Sequence, residues 1–207
     1  MLADIKIKEM KILIRVLLIV LGIGVVGFVV YFLSILHVFG AFDKYYNENE
    51  LISHFNEKQD EFNDLISFFE SVVPEDKEIE IEFEDKNTLS RFGVISIDTA
   101  LKSRTPLYLE WDLNIDKDIP NSIITAIKWN RQTFETLKSK LDKAGCIQIE
   151  SGNPVKIGFQ RSGMGMYSYY LFRSDSLDSN LNEQKKRNDL NFFSDTTAWE
   201  YDGGAMD

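Results

Sequence analysis

Val16 to Leu36 is a run of twenty-one residues with no charge and with Ser34 as its one clearly polar side chain. At a helical rise of about 1.5 Å per residue it covers roughly 30 Å, the thickness of a bilayer's hydrocarbon layer, and a helix satisfies its own backbone polar groups there. Soluble buried helices are rarely apolar on every face for this length, so the run predicts one transmembrane helix over residues 16–36. The flanks are uneven. Lys6, Lys8, Lys11 and Arg15 precede the run against Asp4 and Glu9, whereas Lys44 follows it against Asp43 and Glu48. Basic flanks stay on the cytoplasmic side, so the N-terminus (1–15) is expected inside and the C-terminal part outside the cytoplasmic membrane. Phe39, Phe42, Tyr45 and Tyr46 make 37–46 an aromatic interfacial segment. A cleaved signal peptide would have a shorter apolar region of about 7 to 15 residues and a small-residue site. Val38-Phe39-Gly40 is a poor match to such a site, so the helix is read as a signal-anchor.

The remaining 47–207 has the size of one domain. Of the 23 basic and 33 acidic residues, 19 and 31 follow the apolar run, a formal charge of −12. Such a surface repels nucleic acid, so no nucleic-acid partner is expected. Solubility is the plain account of the charge, and a cationic partner the more specific one. Cys146 is the single cysteine, which rules out an intrachain disulfide; within Cys146-Ile147-Gln148-Ile149 it reads as a small buried residue.

Leu51, Phe55, Lys58, Phe62, Leu65, Phe69 and Val72 recur at steps of four and three, predicting an amphipathic helix from Asn47 to Val73. Asn47 and Glu50 suit a capping start, and Pro74 marks the stop. The stripe is expected to dock on the chain's own sheet, with self-association through the 47–73 helix as the alternative. From Glu78 the period falls to two. Ile79, Ile81 and Phe83 alternate with Glu78, Glu80, Glu82 and Glu84; Phe92 to Ile97 follows; then Leu107, Leu109, Trp111, Leu113 and Ile115 alternate with polar residues. A second helix is expected after Pro120, chiefly Thr133 to Ala144 with Gly145 ending it. Cys146–Glu150, Val155–Phe159 and Met166–Phe172 read as strands, Ser176–Asn188 as a short helix, and Leu190–Phe193 with Ala198–Tyr201 as a last hairpin. The fold class is α+β: an antiparallel meander with both helices packed on one face.

Several motifs fail on physical grounds. Gly22-Ile23-Gly24-Val25-Val26-Gly27 matches a dinucleotide fingerprint, but its amides lie inside the spanning helix instead of at a helix N-terminus. Asp112 to Asp118 opens like a calcium loop, yet Lys117 takes the glycine position and Ile123 the place of the bidentate glutamate. His37, His54 and Cys146 make no zinc set, and no metal or cofactor is expected. The most specified segment is Gly158 to Tyr167. Its glycines Gly163 and Gly165, the Arg161 guanidinium and the Ser162 hydroxyl would suit an anionic ligand or partner, whereas a plain hairpin turn needs only the glycines.

These features predict a single-pass membrane protein presenting an acidic α+β interaction domain outside the membrane, with an unidentified protein partner and without catalysis. Two other readings follow from the same residues. One is an anchored hydrolase or transferase using carboxylates near Arg161; the other is an immunity or inhibitor protein capping a basic partner.

Overall fold

The computed structural model describes residues 2–38, 40–98, 100–101, 103–163, 165–173 and 190–203. The stretch Ser176–Asn188, expected as a short helix, lies outside the described residues. The chain divides into two compact units, Met1–Lys44 and Tyr45–Asp207. In the first, helix α1 (Leu2–Val38) contains Leu17–His37, twenty-one residues of mean hydropathy 2.7 with none of that stretch buried. It is long and apolar enough to cross a membrane.

The second unit is α+β. Helix α2 (Glu48–Glu57) starts in a reciprocal cap: the Asn47 side chain accepts from the Glu50 amide at 3.0 Å, and the Glu50 carboxylate accepts from the Asn47 amide at 2.9 Å. The single helix expected over 47–73 is instead two, with α3 spanning Gln59–Val72 and the break at Lys58. An unbroken helix would carry the Lys58 ammonium along the buried stripe. At the break the Lys58 ammonium lies 3.2 Å from the Glu61 carboxylate. Leu51, Phe55, Phe62, Leu65 and Phe69 are all buried in the domain's own core. The docking expectation therefore holds in place of a coiled coil, because the residues that would form an intermolecular seam are already covered.

Strands β1 (Lys77–Phe83), β2 (Thr88–Asp98) and β3 (Ser103–Asn114) form the expected antiparallel hairpins. Helices α4 (Asn121–Ile127) and α5 (Arg131–Ala144) follow, separated by Lys128 in the left-handed region. Trp129 fixes the turn between them by donating its indole N–H to the Val72 carbonyl at 2.8 Å. Gly145, at φ 68°, ends α5 as expected. Strands β4 (Gln148–Glu150), β5 (Val155–Ser162), β6 (Gly165–Leu171), β7 (Asn191–Phe192) and β8 (Thr197–Asp202) complete an eight-stranded antiparallel sheet ordered β3-β2-β1-β4-β5-β6-β8-β7.

This order is not the simple meander expected. The α4–α5 connection returns the chain to the far side of β1, where Ile149 lies opposite Ile81 and extends its apolar row. One face of the sheet carries Ile79, Ile81, Phe92, Val94, Ile149, Ile157 and Tyr169, all fully buried with the apolar faces of α2, α3 and α5. On strand β3 the alternating apolar residues Leu107, Leu109 and Trp111 do not enter this core. Its helix-facing positions are Tyr108 and Glu110, paired with Val94 and Phe92, and Leu107, Leu109 and Trp111 are 43%, 40% and 54% exposed. Asp112, at φ 55°, reverses the alternation, so Leu113 is buried where Trp111 is not.

Candidate functional site on the open face of the sheet

Because the helices cover one face, alternate residues of every strand meet on the other. Strand β1 sends Glu78, Glu80 and Glu82 there. Each finds a cation on another strand: Arg104 for Glu78, Arg91 for Glu80 at 3.2 Å, and Arg161 for Glu82. The Arg161 pair is bidentate, with Nε and Nη2 each 2.6 Å from a different Glu82 oxygen. Glu82 is 2% exposed although it carries a carboxylate, whereas the Arg161 side chain is 51% exposed. Gln148 donates to Glu80 at 2.8 Å, and Lys156 lies 3.7 Å from Asp202 and over the Tyr170 ring.

Burial pushes the Glu80 carboxyl up from its ordinary value, with the Arg91 guanidinium opposing that shift. The Arg161 guanidinium is held above its ordinary value by its hydrogen bonds to Glu82. A depression of about 200 Å³ is lined by these groups together with Gly165 and Met166. Beside it, a dip of about 130 Å³ lies along Gly93, Ile95, Pro106 and Leu109. At Gly158 an added Cβ would run into Met166 and Gln148, so the floor at that point requires glycine.

Of the residues expected to form an anion site, Arg161 and Gly165 line the same depression, whereas Ser162 does not reach it. Arg161 faces the open side, with its Nε and Nη2 committed to Glu82. Ser162 is fully buried, its hydroxyl without a hydrogen-bond partner among the described residues and its carbonyl accepting from the Tyr201 hydroxyl at 2.8 Å. Gly163 turns the hairpin at φ 59°. Gly165 opens β6 where a Cβ would lie 2.6 Å from the Asp202 carbonyl, so its role is close strand packing. Met164 lies outside the described residues.

The partners of Arg161 were missed in the sequence, although a signal existed: three glutamates at every second position of a strand require cations opposite them once one becomes buried. His54 and Cys146 serve the core. The Tyr169 hydroxyl donates to the Leu51 carbonyl at 2.9 Å and lies 3.0 Å from His54 Nδ1. Burial lowers the His54 imidazole and raises the Cys146 thiol, which points to the Ala144 carbonyl. A protonated, buried thiol is a poor nucleophile. Among the described residues, no three His, Cys, Asp or Glu side chains are grouped to hold a metal ion.

The chain matches no family model, and comparison with curated proteins and with solved structures finds no significant match.

Proposed function

We propose that the chain is a single-pass membrane-anchored protein that presents its acidic α+β domain outside the cytoplasmic membrane and works by binding other envelope proteins, without catalysis. The observation that carries this reading is the open sheet face. Its ion pairs join strands β1, β2, β3 and β5, one of their carboxylates is buried, and the exposed side chains of Leu109 and Trp111 lie beside them. Such a mixture of ordered charge and exposed apolar rings suits a protein surface better than a small substrate. The N-terminal apolar helix and its basic flank support the anchor and the orientation.

The hydrolase reading draws on Glu80, a carboxyl raised by burial in the same depression as Arg161. Against it, both Glu80 oxygens are engaged, by Gln148 and Arg91, and about 200 Å³ is below the roughly 300 to 1,000 Å³ of ordinary ligand pockets.

External protease applied to cells carrying tagged full-length chain tests anchor and orientation together. Digestion of the domain with the N-terminal tag protected is expected; a domain protected in intact cells overturns the orientation. A photo-crosslinker at Lys156 tests the binding surface. Adducts with envelope proteins are expected, and their loss in high salt alone would favour the immunity reading.

A further inference from the structure

We propose that the hollow at the C-terminal turn of α3 binds a small organic ammonium ion, its apolar body inside and its charged end at Glu75. The inference is independent of the open sheet face and goes beyond the interaction reading. The hollow has a volume of about 360 Å³, within the roughly 300 to 1,000 Å³ of ordinary ligand pockets. It lies where β1 begins, β2 ends and the β4–β5 turn passes, and α3 walls it on the helix side.

The walls are of two kinds. Phe69, Val73, Pro74, Ile97 and Val155 supply an apolar lining, against which an apolar body is removed from water. The charged lining is largely engaged. The Arg173 guanidinium donates from Nε to the Glu70 carboxylate at 3.2 Å, and Arg104 holds Glu78. The Lys77 ammonium, on a side chain 9% exposed, is bonded to the Asp76 carboxylate and lies 3.4 Å from the Ser96 hydroxyl. That contact holds the Asp76 carboxyl below its ordinary value.

Glu75 is different. It lines the hollow, it is exposed, and its carboxylate has no cation or hydrogen-bond donor among the described residues. The last turn of α3 contributes no basic residue and ends at the same wall, and the carbonyls at a helix C-terminus favour a cation. The Ser151 hydroxyl, accepting from the Ile79 amide at 2.7 Å, keeps a second lone pair for an ammonium proton. An anion would have to displace Glu70 or Asp76 from its cation. A cation needs no such exchange.

The test is equilibrium dialysis against full-length chain in nanodiscs, with empty nanodiscs as the blank. The probes are phenethylammonium and 3-phenylpropionate, which share a ring and a two-carbon stem and differ in the sign of the charge. Phenethylammonium is expected to bind and 3-phenylpropionate to stay at the blank. Glu75→Gln is expected to weaken the ammonium about two- to fivefold, the range for an exposed charge pair, while Glu150→Gln, on the open face opposite Glu80, leaves it unchanged. Ile97→Trp and Val73→Trp, at half-buried positions, each add an indole to the wall; whichever keeps the unfolding midpoint is expected to abolish binding. Equal affinity for the two probes, no binding of phenethylammonium, unchanged affinity in Glu75→Gln, or binding that survives a folded tryptophan variant overturns the proposal. A loss in Glu150→Gln equal to that in Glu75→Gln moves the ammonium to the open face and overturns it as well.

Discussion

Glu82 is a carboxylate taken out of water, and its stability rests on a half-exposed guanidinium. Removing Arg161 strands that charge, whereas removing both charges together does not. Arg161→Ala is therefore expected to destabilise the domain by about 1 to 3 kcal/mol, between the values for exposed and buried pairs. The double variant Arg161→Ala, Glu82→Leu should recover part of the loss in urea unfolding; a fully additive double variant would separate the two residues energetically. His54 gives a second prediction. Its imidazole is depressed below the ordinary value of 6.5, burial being the main cause. The unfolded chain then binds the proton more readily, so this contribution is complete above pH 6.5 and is lost as pH falls below it. The urea midpoint should drop between pH 7.5 and 5.5, and His54→Gln should flatten that drop. Glu80, whose carboxyl is raised, acts in the opposite sense, which is why the comparison is made against the His54 variant.

Among elements, those with strong periodicity are legible in the sequence: the apolar stripe of α2 and α3, the alternation of β1, and the Gly145 stop of α5. What the pattern could not decide was the side. Leu107, Leu109 and Trp111 alternate as a buried strand would, yet they are exposed, because Tyr108 and Glu110 take the helix-facing positions and alternation reports only that two faces differ. Lys58 within an apolar stripe was the visible sign of the α2–α3 break. The order of strands was hidden for a similar reason, since the pairing of β4 with β1 joins residues about seventy positions apart. For the candidate site, Arg161 was found from its own neighbourhood, but Glu82 and Arg91 belong to other strands and came together only through register. The α2 cap offers a test at this scale. Asn47→Ala removes the acceptor for the Glu50 amide and is expected to cost about 1 kcal/mol, measured by thermal or urea unfolding. Asn47→Asp, which keeps an acceptor, should cost less.

For the whole molecule, the division at Lys44/Tyr45 predicts that the second unit carries its own core. Tyr46 already belongs to it: its ring packs on Phe159 and Tyr167, and its amide donates to the Tyr167 hydroxyl at 3.2 Å. A chain reduced to residues 45–207 is expected to remain in solution and to unfold in a single transition, monitored by circular dichroism and tryptophan fluorescence together. Non-coincident transitions would show that the sheet does not unfold as one unit. The central position of β1 also constrains how the domain is made. Emerging early from the ribosome, β1 can pair at once with β2, but its other neighbour is synthesised only after both later helices. Until β4 arrives, the row ending at Ile81 lacks its continuation and β1 has one open side. A nascent chain halted before Gln148 is thus a natural client for a holdase, and maturation should be slowed most by lesions that delay this late strand insertion.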